Sequence, residues 1–340
     1  MATDPKAWLA LTTEQAIDPT LPICDPHHHL WDYPNNRYLL DELLEDLRGG
    51  HNVVATVFLE CVSMYRKNGP EEMKPVGETE FVQGIAAQAA SGIYGPTAVA
   101  AGIASLADLT LGSAVQQVLE AHIAASPNRF RGIRHATSWH ESPDIRNAHT
   151  KPTKDTMLSK PFREGFACLQ KLGLTFDAWM YHNQLMDLVD LAKAFPDTTI
   201  ILDHIGGPLG IGPYVGKQKE VFEEWKRNIA AVAECPNVVV KLGGLTMTMC
   251  GFDWHKREKP PTSEELAKVN EPYYLYCIEK FGVNRCMFES NFPVDKASCS
   301  YTVLWNSFKR MTEKFSPAEK AALFHDTAVR VYRLKDNLLS

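Results

Sequence analysis

The sequence predicts an α/β fold, a single-domain (β/α)8 barrel of the TIM type, and three observations predict it. Short runs rich in β-branched residues recur along the 340-residue chain, with helix-length amphipathic stretches between them. Eight such strand–helix units favour a parallel sheet that closes on itself over an open one. No G-x-G-x-x-G joins a strand to a helix: Gly206, Gly207, Gly210 and Gly212 come close, but Pro208 and the spacing break the dinucleotide fingerprint.

In chain order, residues 1–20 read as an N-terminal extension and 21–340 as the barrel. Strands are expected near Pro22–Asp25, Val53–Glu60, Thr97–Ile103, Phe130–Arg134, Leu174–Trp179, Thr199–Asp203, Val238–Leu242 and Arg285–Glu289. Helices are expected at Thr79–Ala90, Ser113–Ser126, Pro161–Lys171, Asn183–Phe195, Gln218–Cys235 and Ser263–Phe281. Val189, Leu191, Ala192 and Phe195 show the apolar spacing of one helix face. Tyr301–Lys314 and Pro317–Tyr332 follow as closing helices, the latter opened by a Ser-Pro start signal. Two long connections, Met64–Gly77 and Thr246–Pro261, have the length of lids or substrate walls.

Bulk composition narrows the function. The 35 basic and 41 acidic side chains are interspersed, and no basic block or basic–aromatic stripe is present, which argues against a nucleic-acid partner. Asp4, Glu14 and Asp18 interrupt the N-terminal segment, so it is expected to be neither signal peptide nor anchor; no later run is apolar enough to span a bilayer. The eight cysteines are scattered without a C-x-x-C pair and read as buried free thiols of a cytoplasmic protein. A small acidic molecule is the expected partner, with homo-oligomerisation left open.

The strongest local signal is Asp25-Pro-His27-His28-His29-Leu-Trp31-Asp32 at the end of the first strand. Residues two apart on a strand face the same side, so His27 and His29 point together into the barrel mouth, and His28 points away. Two adjacent imidazoles suit a divalent ion such as Zn²⁺ or Mn²⁺. Other polar residues end neighbouring strands: Arg131 and Arg134 at the fourth, His182 after the fifth, His204 after the sixth, Asn291 and Asp295 after the eighth. Strand C-termini of such a barrel converge on one face, where active sites form. Trp31 is placed as a pocket wall. Lys241 is read as capping the seventh strand rather than reaching the site, Cys61 as buried and not nucleophilic, and His135, His140, His149 and His255 as surface loop residues. Tyr65 and Arg66 are weaker candidates for substrate contact.

DPHHHLWD, RGIRH, LTFDAW, LDHIGGP, VVVKLGGL, ESNFPVD and FHDTAVRVYRL, in order over residues 23–334, resemble the amidohydrolase-related metal-dependent hydrolases. That group includes 2-pyrone-4,6-dicarboxylate lactonase, sugar-acid lactonases and 4-sulfomuconolactone hydrolase. The resemblance implies that His27 and His29 are metal ligands and that His204 polarises the substrate or joins the metal. It implies that Arg131 and Arg134 hold substrate carboxylates. Relatives carry Asp in a G-S-D-W-P pattern as ligand and general base; this chain has Glu289-Ser290-Asn291-Phe292-Pro293. Asn cannot accept a proton at neutral pH, so Asp295, Glu289 and His204 become the candidate bases and Asn291 a ligand or hydrogen-bonding group. The implied activity is hydrolysis of a small acidic lactone through metal- or His-assisted water attack, in catabolism, although some lactonases of the group need no metal. Metal-dependent decarboxylation of an aromatic acid and non-catalytic ligand binding are the alternatives.

Overall fold

All eight strands form, and they pair in sequence order into one parallel sheet. The computed structural model describes residues 4–338. Its strands are β1 (Pro22–His28), β2 (Asn52–Leu59), β3 (Ala98–Ser105), β4 (Phe130–Ile133), β5 (Thr175–Ala178), β6 (Ile200–Leu202), β7 (Val238–Leu242) and β8 (Cys286–Phe288). Past the end of β8 the ring is joined to β1 by two backbone bonds, Asn291 N–H to His27 O at 2.9 Å and His29 N–H to Phe292 O at 2.8 Å. Asp25 reinforces this seam by accepting the Ser290 N–H (3.0 Å) and the Tyr301 hydroxyl (2.9 Å).

The runs NVVATVFL and VVVKL are nearly continuously apolar because both faces of a barrel strand are covered. Alternate residues divide between two cores. Ala55, Val57 and Leu59 face inward with Cys24, Ala101, Ala104, Ile201, Val239 and Met287, and Tyr332 and Leu334 plug the floor beneath them. Phe58, Ile103, Phe176, Leu202 and Phe288 face outward into the larger layer under the helices.

The expected helices appear at Val76–Ala89, Val115–Ala125, Lys160–Lys171, Leu185–Ala194, Gln218–Ala233, Ser263–Phe281 and Tyr301–Met311. The last closing helix starts at Pro317 with a Ser316–Glu319 capping box, then widens into a π turn over Ala322–Asp326 before Thr327–Val331. The β1–β2 connection holds two further elements, a hairpin (Trp31–Tyr33 with Asn36–Tyr38) and a helix (Leu40–Leu47) whose Leu40, Leu43, Leu44 and Leu47 make one buried face. The N-terminal segment lies against the outer helices: Glu14 accepts the Ser263 N–H at 2.8 Å and binds Asn306, and Trp8 donates to Arg257 O.

The connections divide their work differently from expectation. Residues 134–155, between β4 and the next helix, form a long excursion over the mouth, and Thr246–Pro261 contributes Met247, Thr248 and Met249 to the cavity wall. Met64–Gly77 lines no part of that cavity: Arg66 pairs with Glu80 on the outside and Tyr65 turns inward. Among the described residues no helix is long and apolar enough to cross a membrane.

Candidate functional site

At the C-terminal ends of the strands a cavity of about 900 Å³ opens between the connecting loops. Trp31 and Tyr33 of the hairpin, Trp179 and Tyr181 after β5, and Met247 and Met249 form its apolar walls. Its polar lining includes His29, Glu60, Arg134, Arg146 and His149. Trp31 lines the cavity and stacks on His29 with ring centroids 5.7 Å apart.

Beneath the cavity lies the buried centre. His27 and His29 point the same way, with their Nε2 atoms 3.3 Å apart, and His28 turns outward to Thr56 Oγ1 at 2.9 Å. His29 Nδ1 donates to Leu59 O at 2.8 Å, which leaves its Nε2 as a lone pair. Asn291 Oδ1 sits 3.4 Å from that Nε2. Burial, then the Arg134 guanidinium, push the His29 pKa down to about 3; burial and Lys241 hold His27 well below its usual value. Both rings are neutral at neutral pH, the state a metal ligand requires.

His204 and Glu289 make the second half of the centre. Glu289 Oε1 accepts both the backbone N–H of His204 (3.1 Å) and its ring Nδ1 (2.6 Å), and Oε2 lies 2.8 Å from His27 Nδ1. Burial works to raise the Glu289 pKa, but His204 and His27 hold it well below the carboxylate range. The K-L-G-G run makes this possible. A Cβ at Gly243 would meet Glu289 Cγ at 2.3 Å, and one at Gly244, where φ is +76°, would meet His204 Cβ at 2.6 Å. His204, Ile205 and Asn291 adopt left-handed backbone (φ of 53°, 50° and 56°), a strained conformation typical of functional sites.

Lys241 does not merely cap β7. It runs into the barrel, wholly buried, with Nζ 2.8 Å from Asp177, 2.9 Å from Asp203 and 3.2 Å from His27 Nδ1. The surrounding strands are packed with small or branched side chains, so a long stem at this inward position reaches the centre. Arg134 is equally committed: Nε binds Glu60 Oε1 (2.8 Å), NH2 binds Glu60 O (2.6 Å), and NH1 reaches Asp203 (3.4 Å) and His27 Nε2 (3.3 Å).

Several expected site residues lie elsewhere. Arg131, at the start of β4, donates to Phe130 O and Asn128 O at the opposite end of the barrel, three residues and one strand face away from Arg134. It cannot clamp a substrate in this cavity. His182 is buried behind the wall, edge-on to Tyr214 and accepting from Leu209 N–H, and does not line the cavity. Asp295 is wholly buried behind Asn291, where Thr246 Oγ1 and Asn291 Nδ2 occupy its two oxygens. Burial pushes its pKa up to about 7. This geometry makes it an orienter of the Asn291 amide rather than a base facing substrate. His135 and His140 are buried, not surface residues; each accepts a backbone N–H, from Leu109 and Ser142. All eight cysteines are free, and Cys61, beside Glu78 and Glu60, has its thiol pushed well up by burial and those carboxylates, which leaves it unreactive.

Sequence reasoning missed Glu60 and Asp203 as site residues, took His149 for a surface loop residue, and counted Glu289 only as one of three candidate bases. The readable signal is the Glu in place of Gly in ESNFP, two residues before Asn291 and just past the last strand.

Among the described residues, His27, His204 and Glu289 each offer a ligand atom within 4.8 Å of the others and form a candidate metal site, with His29 adjoining it. The charge balance fits a divalent cation: Glu60, Asp177, Asp203 and Glu289 are buried around the centre against only Lys241 and Arg134, a surplus of two negative charges.

A family model described as amidohydrolase matches residues 24–334. An uncharacterized protein of Sinorhizobium fredii is 34% identical, covering 92% of this chain and 98% of its own length. An L-fucono-1,5-lactonase of Burkholderia ambifaria is 25% identical over 80% of this chain and 87% of its own. Among solved structures, an amidohydrolase from Burkholderia multivorans with bound zinc superposes with a TM-score of 0.69 at 22% identity, covering 92% of this chain and 99% of its own. With its barrel, its paired imidazoles and a family match over nearly its whole length, the chain belongs to the amidohydrolase family.

Proposed function

We propose that the protein hydrolyses a small lactone, or similar cyclic ester, that carries an acidic group. The observation that carries this reading is the His204–Glu289 pair beneath the cavity, Nδ1 to Oε1 2.6 Å, with the His204 ring centroid 4.5 Å from that of His27. Because His204 Nδ1–H donates to Glu289, its Nε2 is the atom left to take a proton from water attacking the ring carbonyl. Collapse of the adduct breaks the bond between the acyl carbon and the ring oxygen and yields a carboxylate and a hydroxyl. The relatives named L-fucono-1,5-lactonase support a lactone ring as the bond opened.

A divalent ion, zinc or alternatively manganese, held by His27, His29 and Glu289 would supply Lewis-acid polarisation of the carbonyl and leave His204 Nε2 free for the proton. Substrate carboxylate falls to Arg146. It is exposed on the cavity wall and has no ion pair among the described residues, whereas Arg134 is saturated by Glu60 and Asp203. The free thiols accord with a cytoplasmic catabolic enzyme.

The test is a panel of acidic γ- and δ-lactones followed by NMR, with zinc or manganese supplied, alongside CO₂ release from hydroxylated aromatic acids. Ring opening that disappears in His204→Ala supports the proposal. CO₂ release without ring opening would replace it with decarboxylation.

A further inference from the structure

Ring opening needs a second proton transfer. When the acyl–oxygen bond breaks, its electron pair stays on the ring oxygen, which leaves as an alkoxide unless a proton reaches it. His204 is occupied at that moment by the proton taken from water.

A second histidine–carboxylate pair stands on the cavity wall. His149, in the long excursion after β4, places Nε2 at 3.3 Å from Glu60 Oε2, and both residues line the cavity. Glu60 is wholly buried at the end of β2, and its other oxygen takes Arg134 Nε at 2.8 Å. Burial would raise the Glu60 pKa, but Arg134 and His149 bring it down to about 2, so it stands as a carboxylate. A fixed carboxylate opposite Nε2 orients the ring, as the third member of a catalytic triad does for its histidine. One guanidinium links the two centres, since Arg134 NH1 reaches His27 Nε2 at 3.3 Å. A small ring lying against Arg134 would therefore present its carbonyl to the floor and its ring oxygen to the wall.

Resting on the lactonase reading above, we propose that His149, held by Glu60, is the general acid that protonates the departing ring oxygen. The proton moves from the His149 imidazolium to that oxygen as the carbon–oxygen bond breaks. The neutral imidazole is reprotonated from solvent, where the proton taken up by His204 is released, so the net reaction is addition of one water. The charged and titratable groups around His149 are Glu60, Arg134 and His135, with Asp144 and Arg146 on its own loop.

The experiment compares wild type, His149→Gln and Glu60→Gln on two lactones, one releasing an alkyl alcohol and one a phenol. A phenolate leaves without a proton, so general-acid loss should cost about 100-fold in kcat on the alkyl lactone and under about threefold on the phenolic one. The basic limb of the kcat–pH profile should vanish in His149→Gln. Equal losses on both substrates, or none on either, would overturn the assignment. Wild type inactive on both lactones would sink the lactonase reading itself. Nitrogen-15 NMR of His149 then tests the pair independently: the neutral ring should carry its proton on Nε2 and lose that preference in Glu60→Gln, and the opposite tautomer in wild type refutes the pairing.

Discussion

Lys241 gives the sharpest test of how the centre is held together. Its ammonium is wholly buried between Asp177 (2.8 Å) and Asp203 (2.9 Å). Lys241→Met keeps the stem and removes the charge, leaving Arg134, 3.4 Å from Asp203, as the remaining cation. Removing one partner of a buried ion pair costs about 3–5 kcal/mol. Unfolding entropy of roughly 2.1 cal/mol/K per residue amounts to about 0.7 kcal/mol/K over this chain, so Tm should fall by roughly 4–7 °C near neutral pH. The loss should depend on pH with a definite sign. In the native protein burial already pushes Asp177 up to about 6 against the pull of Lys241, whereas Asp203 is lowered because Lys241, His204 and Arg134 outweigh its burial. Without Lys241 the Asp177 carboxylate titrates further above its unfolded value of about 3.9, and Asp203 loses the largest of the charges that lower it. Between that value and the raised one the folded state binds more protons than the unfolded, so stability falls as pH rises through the window. The variant should therefore lie closer to wild type at about pH 5 than at about pH 7.5. Differential scanning calorimetry of chelator-treated protein at both values measures this. A Tm equal to wild type at both would refute the claim that the ammonium offsets the two carboxylates.

Three further outcomes are expected. Asn291→Asp sets a second carboxylate against Asp295 where an amide N–H now donates, so metal content by elemental analysis should rise and Tm in chelator should fall; unchanged metal content would contradict the placement of Asn291 beside the metal site. Glu289→Gln removes the group that orients His204 and should lower kcat by about 100-fold, with metal content measured in parallel; wild-type kcat would exclude the dyad. Arg146→Ala should raise KM for an acidic lactone about tenfold, or about 1.4 kcal/mol, while Arg131→Ala stays within about twofold; the reverse order in steady-state kinetics would restore the strand-start arginine as the clamp.

The strand order was legible because each barrel strand is a short apolar run and each intervening helix repeats at its own period, signals that are local in the chain. The outward turn of His28 between His27 and His29 was equally local, a consequence of strand alternation. The resemblance offered both Arg131 and Arg134 as carboxylate holders, and strand alternation separates them. Three positions apart on one strand, they lie on opposite faces and at opposite ends, and only Arg134 is at the mouth.

What the sequence determined by itself was the barrel, its family and the position of the paired imidazoles, because periodicity and contiguous motifs encode these within a few residues of one another. Tertiary structure decided the partners: Glu60 for Arg134 and His149, Glu289 for His204, Asp177 and Asp203 for Lys241, each between residues that are distant along the chain. It also withdrew Asp295 and His182 from the cavity, one behind Asn291 and the other behind the wall. Which carboxylate meets which cation depends on side-chain reach across a closed ring and on the room left by Gly243 and Gly244, and those distances exist only once the eighth strand has returned to the first.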